Sequence, residues 1–169
     1  MPSSQPPFND VTTHRFAQVL YQCLEGLGST KTALYLCLKG EDGLRLVSHY
    51  GFPRLMPPPE RLALEDPLVQ WVRRERRTFA VNNAAEFPEL APMVKGSDVP
   101  RLLFTPVYDK GQWLGFLVQR DRARGAAYDV ERDEGPTLAI CQEIVIALHE
   151  LRMLATPGNA ADSRPSSPG

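Results

Sequence analysis

Few side chains in this sequence are suited to chemistry. There are three cysteines, Cys23, Cys37 and Cys141, and three histidines, His14, His49 and His149. A thiol catalyst needs a low-pKa thiolate with a base or a second thiol close by. A structural zinc site needs closely spaced Cys and His ligands. The cysteine count is odd and no Cys-x-x-Cys pair occurs, so neither a disulfide framework nor a metal site is expected. The thiols read as reduced, buried, small hydrophobes. His49 stands alone near the end of an extended segment, without the supporting shell that a ligating histidine needs. His14 and His149 fall on helical patterns and read as structural. Arg73, Arg74, Arg76 and Arg77 form a basic cluster, with Arg120, Arg122 and Arg124 further along. The cluster suits a helix C-terminus and solvation, or else an anion or partner site. Aromatic residues do not interleave with it, so nucleic acid is not expected as a partner. No Ser/His/Asp set, paired carboxylates or phosphate-cradling glycine loop stands out. The expectation is a protein that is not an enzyme and carries no cofactor.

The totals agree. A chain of 169 residues suits one domain with a single core. It is 43% hydrophobic and 23% charged, with a net charge of -1, a balance that does not favour phosphate-backbone binding. The longest apolar runs, Ala33–Leu38 and Trp113–Val118, have six residues each, against the roughly 20 that cross a membrane. The opening Met-Pro-Ser-Ser-Gln-Pro-Pro lacks a basic segment followed by an apolar core. A cytoplasmic protein without membrane contact is expected.

Hydrophobic spacing outlines the elements. Residues 1–8 read as a flexible arm and 155–169, rich in Pro, Gly and Ser, as a disordered tail. A helix is expected from Asn9 or Asp10 to Gly26, with Phe16, Val19, Leu20, Cys23 and Leu24 on one side. Lys31–Lys39 and Leu44–Tyr50 read as a hairpin around a glycine turn. A proline-rich loop follows from Gly51 to Pro59. Asp66 caps a helix reaching about Arg76, and Thr78–Val81 is a short strand. Residues 82–100 are irregular, with one helical turn near Ala91–Val94. Arg101–Tyr108 and Gln112–Arg120 form a second hairpin. After a mobile loop at 123–127, Asp129 caps a long final helix reaching about Leu154. Its apolar face is wide enough to pack on two surfaces. The class is α+β.

This order resembles the GAF domain family. The stretch from Arg101 to Leu117 is similar to the family's last hairpin, with Pro106, the turn at Gly111 and Gly115 in matching places. Pro106 needs an edge, a bulge or a strand end, and Gly115 lets a neighbour approach the sheet closely. Gly51-Phe52 resembles the exit of the second strand. Thr78 to Asn83 resembles the segment that crosses into the pocket wall. The resemblance spans about residues 10–154. It implies a central antiparallel sheet of five to six strands, with N- and C-terminal helices on one face and a small helix and loops over a pocket on the other. Five strands are clear; a sixth is expected within 55–63 or 82–100.

The resemblance also implies function: a regulatory domain that senses a small molecule, mediates protein–protein interaction in signalling, or both. Tyr50, Phe52, Trp71, Phe79, Asn82 and Phe104 are then the ligand-binding candidates. Phe16, Leu20, Ile144 and Leu148 are candidates for an interface with a second copy or a separate signalling chain. One alternative is a dimerisation or docking module whose pocket the same aromatics fill. A second is a thiol enzyme like the family's free methionine sulfoxide reductases. The Asn-Lys and Phe-x-x-x-Asp-Glu pattern of cyclic-nucleotide binders is missing at Asn82-Asn83 and after Phe87.

Overall fold

The computed structural model describes residues 10–153. Asn9, Leu154, and the expected arm and tail lie outside the described residues. Helix α1 spans Asp10–Leu27. Beyond it the Gly28 N–H donates to the Leu24 carbonyl at 2.9 Å. Strands β1 (Ser29–Leu36) and β2 (Leu44–Tyr50) pair antiparallel. Strand β3 is only Arg61–Leu62, and it pairs with the start of β2. Helix α2 runs from Pro67 to Glu75, and the Asp66 side chain accepts from the Leu68 N–H. Arg76 closes it in the left-handed conformation, φ 63°. Strand β4 (Phe79–Val81) follows, then two single 3-10 turns at Ala84–Glu86 and Pro88–Leu90 and the short helix α3 (Ala91–Val94). Strands β5 (Leu102–Asp109) and β6 (Gln112–Arg122) make the second hairpin. Helix α4 spans Val130–Glu150, capped by Asp129, which accepts from the Glu131 N–H. The expected loop at 123–127 contains a 3-10 turn, Ala123–Gly125.

One six-stranded antiparallel sheet results, in the order β3-β2-β1-β6-β5-β4. The sixth strand is the two-residue β3, inside the 55–63 stretch. Helices α1 and α4 cover one face. They run antiparallel, tied by Arg15 to Glu150 at 3.2 Å and Gln22 to Glu143 at 2.9 Å. Their apolar sides bury Phe16, Leu20, Cys23, Ile144 and Leu148 against Leu34, Leu36, Leu103 and Leu117 of the sheet. The second face carries α2, α3 and the 82–100 segment over Tyr35, Phe104, Phe116 and Val118. Each fully buried large side chain contributes about 1.5–3 kcal/mol, so the two apolar layers together hold the sheet between them.

Two local features set which side chains face which layer. Between Leu34 and Tyr35 the β1–β2 register slips, so Tyr35 lies opposite Leu46 and Leu34 opposite Ser48, with Val47 the extra residue. A bulge of this kind reverses the alternation of a strand. Leu44 and Leu46 therefore face the α2 layer, while Ser48 and Tyr50 face the α1/α4 layer. The second feature is Asp121, a non-glycine residue at φ 55° near the end of β6. Plain alternation would place Arg120 and Arg122 on one face. Instead Arg120 reaches the 93–95 segment, and Arg122 reaches Leu27 and Asp133.

Pro106 lies past the end of β4, whose pairing stops at Phe104, and next to a register slip at Val107–Tyr108. That is the edge-and-bulge setting that its missing N–H requires. No helix of the described residues is long and apolar enough to cross a membrane.

Candidate functional site

The aromatic candidates divide between the two faces. Trp71, Phe79 and Phe104 come together on the α2 side as a stack. Trp71 and Phe79 have ring centroids 5.6 Å apart, and Phe79 and Phe104 5.0 Å. The row continues through Phe116, 5.9 Å from Phe104, to Tyr35, 5.3 Å further. Phe87 closes on Trp71 at 5.2 Å. Pairs at such distances add about 0.5–1.5 kcal/mol each beyond burial. Sequence reading missed Tyr35, Phe87 and Phe116, although Tyr35 and Phe116 sit on parities that strand alternation makes inward-facing.

Three expectations need correction here. Tyr50 is on the opposite face, moved there by the β2 bulge. Its hydroxyl donates to the Ser29 carbonyl at 3.1 Å, and it packs against the helix-side core. Asn82 is a backbone clamp: its amide donates to the Tyr128 carbonyl at 3.0 Å and accepts from the Tyr128 N–H at 2.9 Å. Phe16, Leu20, Ile144 and Leu148 are completely buried against the chain's own sheet, so they are core and cannot meet a second copy. The width of the α4 apolar face comes from packing on both α1 and the sheet.

The space between the sheet and the 82–100 segment is packed. Ala84, Leu90 and Met93 fill it from above and Phe104 and Phe116 from below, all essentially without exposure. Clefts open elsewhere. One of about 580 Å³ lies along Val11, His14, Arg15 and Gln18 on the outside of α1. Another of about 410 Å³ lies between Thr13 and Ala17 of α1 and residues 45–49 of β2.

One charged side chain enters the α2 face from the sheet. Arg120 is 2% exposed. Its Nη1 donates to the Met93 carbonyl at 2.9 Å and its Nη2 to the Lys95 carbonyl. Its Nε donates to Asp121 Oδ2 at 2.9 Å. The Phe52 ring lies beneath the guanidinium, 5.7 Å from its central carbon. Phe52 thus joins the site through Arg120 and stands apart from the aromatic stack. Sequence reading placed Arg120 at the end of the last strand and grouped it with the basic residues that suit solvation or else an anion or partner site, without expecting its burial. The available signal was its parity, in step with Val118 and Phe116 two and four positions earlier.

On the opposite face a buried polar network fixes the start of α4. Ser29 Oγ donates to Gln119 Oε1 at 2.7 Å and meets the Tyr128 hydroxyl at 2.8 Å. Gln119 donates to Thr137 Oγ1 at 3.1 Å, and that hydroxyl donates to the Asp133 carbonyl at 2.8 Å. Arg122 holds the Asp133 carboxylate in a two-pronged pair of 2.7 and 2.9 Å. Burial pushes the Asp133 carboxyl upward. Hydrogen bonds from Arg122, the Asp129 N–H and Arg132 outweigh that and hold it below the ordinary value.

The thiols are poorly placed for chemistry. Cys23 and Cys141 lie in the helix-side core, and burial pushes both up to about 12. Cys37 is half-buried on the other face. Burial raises its thiol too, against the lowering field of Arg73. Arg73 itself lies over the Trp113 ring at 4.9 Å, and Arg77 pairs with Glu134 at 3.0 Å. His49 is exposed at the sheet edge, its ring edge-on to Phe52 at 6.1 Å. Among the described residues no group of three or more His, Cys, Asp or Glu is placed to hold a metal ion.

No protein-family model and no curated protein matches the sequence. Solved structures do match. The GAF domain/HD domain protein from Geobacter sulfurreducens superposes with a TM-score of 0.63 at 13% identity, over 87% of this chain and 99% of that one. The GAF domain of a phosphoenolpyruvate-protein phosphotransferase from Coxiella burnetii gives 0.60 at 16% identity, over 95% and 89%. This is the GAF fold. The free methionine-R-sulfoxide reductase from Neisseria meningitidis, solved with its substrate, has the same architecture. It matches with a TM-score of 0.60 at 18% identity, over 83% of this chain and 81% of that one. In GAF terms, the terminal helices form one layer here. The pocket face is closed by an aromatic stack and by a roof that Arg120 fastens from below.

Proposed function

We propose that this GAF-like chain is a non-catalytic regulatory domain. It answers a small molecule at the roof of its α2 face and passes the response to another chain through its helix layer. One observation carries the reading: a buried guanidinium holds the roof down by main-chain carbonyls alone. Such a fastening yields to a better acceptor, because a carboxylate offers the same guanidinium a full opposite charge and two oxygens that match its paired N–H groups, where each carbonyl offers one neutral oxygen. The signalling role is supported by the GAF domains among the solved structures of this fold. The Neisseria protein is an enzyme. An enzyme of that kind needs a thiolate, and burial keeps Cys23, Cys37 and Cys141 protonated here.

The test is an amide-resolved NMR titration of the whole chain with pooled small metabolites. At least one compound is expected to move the amides of 91–97 and to be recovered chemically unchanged. Its consumption by the protein, or reduction of methionine sulfoxide that a Cys→Ser change abolishes, overturns the reading.

A second reading, a docking module with a filled pocket, has its own support. The outward side of the helix layer exposes Val11 (70%), Tyr21 (51%), Leu138 (44%) and Ile146 (53%). Exposed apolar side chains gathered on one layer mark a contact surface. If a second copy binds there, light scattering of the wild type gives a dimer mass at micromolar concentration. Ile146→Glu then gives a monomer with an unchanged unfolding midpoint. A wild type that is already monomeric removes the homodimer form of this reading.

A further inference from the structure

We infer that the ligand of the roof site is a small monocarboxylate with an apolar body, and that its carboxylate takes the Nη1–Nη2 fork of Arg120 from the carbonyls of Met93 and Lys95. The inference rests on the sensing role proposed above and names its ligand class.

Asp121 is the one carboxylate paired with Arg120 among the described residues, and it is shared. Its Oδ2 takes Arg120 Nε at 2.9 Å and faces Lys31 Nζ at 3.7 Å, while its Oδ1 takes the Arg101 N–H at 3.1 Å. Two cations thus face one anion, and the more deeply buried cation is Arg120. A buried charge without a full counter-charge is costly, and one added negative charge balances this site. That argues for a monoanion and against a phosphate carrying nearly two charges.

Asp121 occupies the Nε side of the guanidinium, so its two Nη groups point together toward the roof. Two parallel N–H donors match the two oxygens of a carboxylate. The present partners are two separate neutral carbonyls, which a carboxylate outcompetes.

Lys95 and Gly96 are exposed, and Gly96 sits at φ 83° with the Met56 sulfur 3.1 Å from where a Cβ would lie. The segment after Met93 has few anchors besides Arg120 and a bond of 3.3 Å from the Ser97 N–H to the Val94 carbonyl. Segments with so little buried contact open at low cost. The Phe52 ring lies beneath the guanidinium, and the Met56 thioether lies beside Gly96, where an added Cβ would be 3.1 Å from its sulfur and 4.0 Å from Arg120 Nη2. They offer an apolar wall, hence the apolar body of the ligand.

Isothermal titration of the whole chain with phenylacetate and 4-methylpentanoate tests this, with phenylacetamide as the neutral isostere. At least one acid is expected to bind saturably and to move the amides of Met93 to Ser97. Phenylacetamide is expected to bind at least about tenfold more weakly than phenylacetate, because it offers one acceptor oxygen in place of two and no charge to balance Arg120. Arg120→Lys keeps the charge and loses the fork, and the same loss is expected there. Equal binding of acid and amide overturns the inference, as does an absence of binding by both acids. The acid–amide contrast is read on the wild type, so it stands even if the variant fails to fold. If neutral metabolites move the roof amides and the acids do not, the carboxylate class falls while the sensing role stands. If no compound of either kind moves them, both fall.

Discussion

Gly115→Ala is expected to destabilise the native fold severely. At this position φ is 150°, and an added Cβ would lie 2.0 Å from the Tyr35 carbonyl oxygen and 2.8 Å from the Leu36 Cα. Both atoms belong to the backbone of β1, which pairs with β6 from Ser29–Arg122 to Leu36–Gly115. A flexible side chain could move aside, but a paired strand cannot without losing its ladder. β1 and β6 are the two middle strands of the sheet, so the strain falls where both cores meet. The expected loss is about 4 kcal/mol or more, at the upper end for one substitution, against a total stability of about 5–15 kcal/mol for a domain. Urea denaturation followed by circular dichroism reads it. Gly26→Ala is the control, because nothing lies within 4 Å of its added Cβ. It sits in the last turn of α1 and is expected to lose no stability. A Gly115→Ala protein that unfolds at the wild-type urea concentration contradicts the close approach of β1 to β6.

The second large effect belongs to the polar network under α4. Asp133→Asn replaces the carboxylate that Arg122 grips with an amide, whose N–H groups oppose those of the guanidinium. Arg122 is then left largely buried without its partner charge, a loss of about 3 kcal/mol. The pH dependence separates this from simple packing damage. The Asp133 carboxyl is held below its ordinary value of 3.8 when folded. Its contribution is therefore full above that value and is lost as pH falls through the lower folded value. The wild-type protein should lose stability steeply in that acid range. Asp133→Asn should be weaker at neutral pH and fall less steeply there, so the two stabilities converge. Parallel curves across that range would show that the ion pair does not carry the stability assigned to it.

Sequence reading went furthest where one physical rule acted alone. The two hairpins, the Asp66 and Asp129 caps and the helical turn at Ala91–Val94 all follow from local chemistry. Gly115 belongs here too, since its lack of a side chain announces a close neighbour. Errors arose where a single residue reversed an alternation. The extra residue Val47 carried Tyr50 to the helix side, and left-handed Asp121 sent Arg120 and Arg122 to different layers. Neither is visible in hydrophobic spacing, because a bulge and a left-handed aspartate leave no periodic trace. β3 was hard to place for another reason, since two residues cannot display a period. Phe16, Leu20, Ile144 and Leu148 were assigned to an interface because a wide apolar face does not say whether its second surface is another copy or the chain's own sheet. The polar network was hidden because Ser29 is far in sequence from Gln119, Tyr128 and Asp133, and each of the four is unremarkable alone.

The central claim is a reversible response at the roof that reaches the helix layer. The most direct measurement is the position of amide shifts when pooled metabolites are added to the whole chain. Shifts are expected at Met93–Ser97 and at Arg120, spreading through β6 to the start of α4 around Asp133, with every compound recovered unchanged. An absence of shifts for all compounds, or shifts confined to the outer cleft along Val11 and Gln18, would contradict it.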